Sequence, residues 1–355
     1  MTTMGEYEPC PERFESFLHN REWPGRVPFF EIGVDGEIIR AIVGRDLGEG
    51  ESYYRALVEF YGRLGYDAIP MGIGCHQDEH PQLESRKAPD TAILTRGERS
   101  WAPMDGVVKT RGDYDDYSWP DPDRPQTERI EGLARVLPEG MKIVGVTVCV
   151  QEPVVERIMG VKALSRALYH DPDLVRDVCA RMGEAAASAA RAAAGLEDVA
   201  AVGVCDDFGY RSGTLLSPEH LKEYVLKWHK KWVEGVHGRG KPALLHSCGN
   251  LQRIMDDVID YCGYDVKHAF EDSHTPMALA KKLWGDRIAL CGGIDMDTLA
   301  RRSETQVRKY VREQLDTCAG KGYALGAGNS VANYIPLENY LAMLDEGDKF
   351  RPRSW

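Results

Sequence analysis

Residues 199–225, VAAVGVCDDFGYRSGTLLSPEHLKEYV, and residues 242–250, PALLHSCGN, decide the fold. The first seven are small, apolar and partly β-branched, as a strand buried on both faces requires. A polar pair, Asp206-Asp207, ends the run. A glycine-bearing loop then leads to Ser217-Pro218, a capping hydroxyl ahead of a proline at the first helical position. The helical pattern of 218–236 stops near Gly238, and 242–246 opens a second apolar run that again ends in polar residues. Strand, polar end, helix, strand is the cycle of a parallel sheet with crossover helices.

Outward from this stretch the cycle repeats. Apolar runs at 26–34, 67–73, 142–148, 199–205, 242–246, 264–268, 287–291 and 323–327 make eight strand-like segments. Helical patterns at 53–64, 173–194, 218–236 and 251–261 lie between them. Asp171-Pro172 and Ser217-Pro218 are start signals, and Gly195, Gly238 and Gly263 are expected left-handed stops. Eight such cycles predict an α/β protein with a (β/α)8 TIM barrel. The Ala-rich stretch 184–194 reads as a close-packed helix, and Trp228 and Trp232 read as core or as the interface of a homodimer. Residues 75–140, rich in Pro, Asp, Arg and Trp, predict an insertion after the second strand, over the barrel mouth. The expected organisation is an N-terminal extension (1–25), a single-domain barrel (26–347) and a short tail (348–355).

Composition narrows the function. Of 355 residues 43% are hydrophobic and 28% charged, enough apolar content for a sizeable core. The formal charge is 44 − 56 = −12 with no basic stripe, which argues against nucleic acid as a partner. Nine widely spaced cysteines and no secretory leader point to reduced thiols and a cytoplasmic protein. No run approaches the ~18 apolar residues of a membrane span. No GxGxxG or GxxxxGK[ST] pattern is present, so no nucleotide cofactor is expected.

In a parallel barrel the chemistry sits at the carboxyl ends of the strands. Glu31 follows the first run, and Gln151 and Glu152 the third. Asp206, Asp207 and Tyr210 follow the fourth; His246, Cys248 and Asn250 the fifth; His268 and Glu271 the sixth. Gly292 and Asp295 follow the seventh, and Asn329 and Asn333 the eighth. His246 and Cys248, two apart on a strand end, share a side and form a nitrogen/sulfur pair of the kind zinc takes, though a lone His-x-Cys is weak evidence for metal, since a buried histidine beside a structural cysteine is common. The helix expected from Leu251 would present free N–H groups to the mouth. Alternation turns one of Asp206 and Asp207 to the barrel axis and the other to the helices, where it caps N–H groups; both bracing the loop is the alternative. His268 and Glu271 read either as a base or ligand pair or as a loop tied to Lys267.

The stretch 204–225, the HSCGN and CGGID strand ends, and residues 322–347 (GYALGAGNSVANYIPLENYLAMLDEG) resemble the uroporphyrinogen decarboxylase superfamily. The resemblance implies a TIM barrel and either of two chemistries: cofactor-free decarboxylation, or methyl transfer involving a corrinoid (cobalamin) and zinc. The His-x-Cys-Gly-Asn motif resembles the cobamide-linked methyltransferase branch. By position that branch implies His246 and Cys248 as zinc ligands, with a corrinoid protein as partner and a small thiol, ether or amine as substrate. Its further cysteine is missing here, where the segment after the eighth run reads Gly328-Asn329-Ser330. A third ligand must then come from Cys291, Glu31, Asp206, Asp207 or His268, or the site holds no metal. The catalytic expectation falls on Asp206, Asp207, Tyr210, His268 and Glu271, and substrate binding on Glu31, Asn250, Gly292, Asp295, Asn329 and Asn333. The alternatives are a metal-free decarboxylase or lyase of a smaller acid and a non-catalytic tetrapyrrole-binding barrel. The decarboxylase's basic cup has no counterpart in the acidic FEIGVDGEIIRAIVGRD region unless Arg40 or Arg45 reaches in.

Overall fold

The computed structural model describes residues 8–77, 86–101 and 106–351. Seven parallel strands form one sheet in sequential order: β1 (Ala68–Gly72), β2 (Lys142–Val148), β3 (Val199–Cys205), β4 (Ala243–His246), β5 (Val266–His268), β6 (Ala289–Ile294) and β7 (Tyr323–Ala327). Seven of the eight predicted runs are therefore strands of one curled sheet.

The first run, 26–34, is not a regular strand. It meets β7 through an isolated bridge at Phe29–Leu325, and the segment after β7 through another at Val34–Val331. Pro28 has no N–H to give, and the Glu31 carboxyl accepts the Ala327 N–H at 3.1 Å, where a ladder carbonyl would otherwise serve. Towards β1 this segment is joined by side chains: Phe29 packs edge-on to Tyr66 at 5.7 Å, and Arg26 donates to the Gly65 carbonyl.

Small residues line the interior of the sheet: Ala68, Ala201, Ala289 and Ala324 beside Val144, Leu244, Val266 and Cys291. The space they leave is filled by Phe30 and by Phe14, Phe17 and Leu18 of α1 (Pro11–Leu18). Residues 11–18, expected within an extension, are thus part of the core inside the curled sheet. A bidentate pair holds them there, Arg13 Nε and Nη2 each 2.8 Å from the buried Asp67 carboxylate, which also accepts the Cys10 N–H.

On the outside, the Ala-rich stretch is the second half of α2 (Pro172–Ala194). Its small side chains let α3 (Lys227–His237) lie close, with Trp228 against Gly183, where a Cβ would fall 2.4 Å from the indole. Trp232 is fully buried and donates to Thr147 Oγ1 at 3.1 Å. Both tryptophans thus pack within the chain. Asp171 and Ser217 cap their helices as expected, through the N–H groups of Leu174 and His220. Gly263 is left-handed at φ 85°, whereas Gly195 and Gly238 stay right-handed at −78° and −61°. The helix expected from Leu251 has no regular turn before residue 255, because Asn250 Oδ1 takes the Gln252 N–H in a local turn.

Within 75–140, a hairpin (Arg86–Pro89 with Glu98–Trp101) reaches the rim of the sheet. There the Asp90 carboxylate binds Asn333 Nδ2 at 2.9 Å and Arg99 Nε at 2.7 Å. No helix among the described residues is long and apolar enough to cross a membrane.

Phe14→Ala empties part of the core inside the curled sheet and is expected to lower the unfolding free energy by about 3–5 kcal/mol. A urea-melt loss below about 1 kcal/mol would contradict the plug.

Candidate active site

At the end of β3 the backbone alternates, and the two aspartates part company. Asp206 is fully buried behind the sheet. Its carboxylate accepts the N–H groups of Val150, Gln151 and Glu152 at 3.0, 2.9 and 2.6 Å, and meets His229 Nε2 at 2.8 Å. The other nitrogen of His229 meets the Tyr264 hydroxyl at 2.6 Å. Asp206 thus closes the start of the helical turn after β2 and is not presented to the mouth.

Asp207 turns inward. Its Oδ1 accepts the Cys248 N–H at 2.7 Å and lies 4.0 Å from His246 Nε2, itself 3.6 Å from Cys248 Sγ. These three donor atoms lie within 4.8 Å of one another. Burial lowers His246 to about 4, so its ring is neutral at pH 7. Burial also pushes the Cys248 thiol up, and the Asp207 charge adds to this. His246 Nδ1 meets Nδ1 of the fully buried His268 at 2.7 Å. Asn329 Nδ2 donates to Cys248 Sγ at 3.1 Å, from the segment where the family resemblance implies a cysteine.

Of the other predicted residues, Glu271 is half-buried close to Asn329, and burial raises its carboxyl. Tyr210 is 54% exposed, in a two-residue hairpin whose carbonyl accepts the Asn250 N–H. The remaining four serve the scaffold. Glu31 faces outward, within reach of the Tyr66 hydroxyl at 3.3 Å. Asp295 caps its helix through the Thr298 N–H. Asn333 anchors the hairpin, accepting from Arg99 at 2.7 Å. Gly292 makes room, since a Cβ there would lie 2.6 Å from the Ala327 carbonyl oxygen. Lys267 does not pair with Glu271: it is buried, and Nζ donates to the carbonyls of Ser247 (2.9 Å), His268 and Ala269 (3.1 Å).

Two further residues join the mouth: Glu152, which the sequence put there without a role, and Cys205, which it did not single out. Glu152 is raised to about 8, first by burial and then by the charges of Asp207 and Asp206. Cys205 faces the same interior, and its thiol is raised by burial and by Glu152 and Asp207. Both sit at strand ends, the signal that found the others.

Residues 106–350 match the model of the uroporphyrinogen decarboxylase (URO-D) family. The chain belongs to the uroporphyrinogen decarboxylase family. Relatives include the uroporphyrinogen decarboxylase of Methylococcus capsulatus, 29% identical over 52% of this chain and 51% of that protein. That of Geobacter sulfurreducens is 26% identical over 38% of each. The chain spans about half, or less, of the length of these curated relatives. Among solved structures, a methyltransferase from Methanosarcina mazei superposes with a TM-score of 0.69 at 18% identity, covering 96% of this chain and 99% of that one. A B12-independent methionine synthase from Shewanella sp. W3-18-1 gives 0.51 at 13% identity, covering 92% and 95%. At these identities the likeness is one of fold.

Within this family member the donors of Asp207, His246 and Cys248 fit a metal. Tetrahedral zinc, with bonds of about 2.0–2.3 Å, sets its ligand atoms roughly 3.3–3.8 Å apart. The 3.6 Å from nitrogen to sulfur falls inside that span and the 4.0 Å from nitrogen to oxygen just outside it. Of the alternative third ligands, Cys291 is buried against the Lys267 carbonyl, Glu31 and Asp206 face away, and His268 stands behind His246. A second cluster, Cys149, Asp206 and His229, is a closed network in which both ring nitrogens of His229 are engaged.

Glu31 provides a stability test. Burial raises its carboxyl to about 8, opposed by the Ala327 N–H and the Tyr66 hydroxyl. A folded-state value above the unfolded one means stability is full at low pH and is lost as pH climbs from about 4.5 through 8. Glu31→Gln is expected to flatten this decline by a few kcal/mol, read from urea melts between pH 5 and 9. An unchanged slope would contradict the assignment.

Proposed function

We propose that this chain transfers a methyl group between a small substrate and a corrinoid carried by a partner protein, with Asp207, His246 and Cys248 as a zinc site. The observation that carries this reading is the nitrogen, sulfur and oxygen donor set gathered at the mouth from the ends of β3 and β4. Zinc, when bound, would supply Lewis acidity to a substrate oxygen, nitrogen or sulfur. Asp207 is the oxygen donor in place of the family's further cysteine.

The chain's own residues favour one direction. Methylating a thiol requires the substrate to lose a proton, whereas demethylating an ether, or an amine bound in its neutral form, requires the leaving atom to gain one. Glu152, raised to about 8, is largely a carboxylic acid at neutral pH and is the group that would give that proton. Asp206 positions it by accepting its backbone N–H. Demethylation of an ether or amine is therefore the favoured direction, with Asn329 and Glu271 orienting substrate beside Cys248.

Decarboxylation is the second reading, favoured by the names of the sequence relatives. Against it, Arg40 pairs with Glu37 at 3.0 Å and Arg45 with Glu59 at 2.8 Å, so neither is turned to a polycarboxylate in the mouth.

Purified without chelator, the chain is expected to carry close to one zinc, and Cys248→Ser to lose most of it. Methyl transfer from an aryl ether or methylamine to cob(I)alamin is expected to fall as pH rises past about 8. Glu152→Gln is expected to slow it about 100-fold. Chelator-insensitive release of CO₂ from a candidate acid, with no methyl transfer, would overturn the reading in favour of the lyase.

A further inference from the structure

His246 and His268 are register partners on adjacent strands, with their Nδ1 atoms 2.7 Å apart. Two ring nitrogens this close cannot both carry protons, which would collide, nor both be bare, which would repel. One proton lies between them. In a neutral pair its owner decides what His246 shows to the mouth. If His246 donates, its Nε2 is a bare lone pair; if His268 donates, that Nε2 is an N–H group.

The far ends of the two rings discriminate. His246 Nε2 faces the Cys248 thiol at 3.6 Å, while Asp207 Oδ1, at 4.0 Å, is beyond hydrogen-bond reach and already engaged by the Cys248 N–H. His268 Nε2 is buried and has no well-aligned partner among the described residues. A Cβ at Gly292 would lie 3.0 Å from this nitrogen and 2.6 Å from the Ala327 carbonyl oxygen, so the carbonyl stands nearby. Beside a carbonyl oxygen an N–H is favoured and a bare lone pair is not. Phe30, edge-on at 5.9 Å and 82°, helps fix the His268 ring.

We infer that His268 is a positioning residue: by accepting the Nδ1 proton of His246, it fixes the tautomer whose Nε2 lone pair is turned to Cys248 and Asp207. Its consequence for metal affinity rests on the zinc reading; the tautomer itself does not.

The test is ¹⁵N-histidine NMR of the metal-free chain, paired with Co²⁺ titration followed by ligand-field absorption. Expected is a His246 protonated at Nδ1 and bare at Nε2. His268→Phe should shift it to the Nε2–H form and weaken Co²⁺ binding by about 10–100-fold. His268→Gln, whose amide oxygen can accept the same proton, should restore both. A wild-type His246 carrying its proton on Nε2 overturns the inference, and that spectrum decides even if His268→Phe does not fold. The expected tautomer in a chain that takes up no cobalt upholds the positioning role and sinks the metal reading instead.

Discussion

The site depends on one buried carboxylate. Removing an ion such as Asp206 from water costs several kcal/mol unless its oxygens are satisfied. Three backbone N–H groups and His229 satisfy them. With Asp206 so held, the pleat leaves Asp207 no direction but inward, and the turn carrying Glu152 is drawn to the same rim. Asp207 then takes the Cys248 N–H and fixes the chain after β4.

The rest of the curled sheet supports that arrangement from below and behind. Alanines in the sheet interior admit the phenylalanines of α1, so the floor is solid and the polar groups are confined to the upper end. Behind the strand ends, the Lys267 ammonium gathers three carbonyls, including those of Ser247 and His268. Ala269 there has φ 81°, a conformation alanine rarely adopts, and its carbonyl is one of the three. Backbone geometry at the ends of β4 and β5 is thus held by charge as well as by ladder bonds. The opposed His246 and His268 rings rest on it.

Much of this was legible in the sequence, and the parts that were not have physical reasons. Apolar runs and caps located seven strands and four of the helical stretches, and of the two readings of Asp206 and Asp207 the structure has the one in which alternation separates them. The same alternation, applied to Phe30-Glu31-Ile32, places Glu31 outside, since its neighbours face in; position after a strand was a poorer guide than phase. Asp295 and Asn333 share that lesson: a polar residue at a strand end also caps a helix or anchors a loop. Lys267 was read as a partner of the His268–Glu271 loop because its actual partners are main-chain carbonyls, which leave no mark in a sequence. Residues 26–34 have the composition of a strand, yet Pro28 and the Glu31 carboxyl replace parts of its ladder.

Side-chain burial decides the chemistry that follows. A neutral His246, a protonated thiol at Cys248 and a carboxylic acid at Glu152 gather around Asp207. A divalent ion would convert the thiol to thiolate and find three donors in place. X-ray absorption at the zinc edge of the purified chain tests this most directly. The account predicts a shell of one sulfur at about 2.3 Å with nitrogen and oxygen at about 2.0–2.2 Å. A shell without sulfur, or no zinc at all, would contradict it.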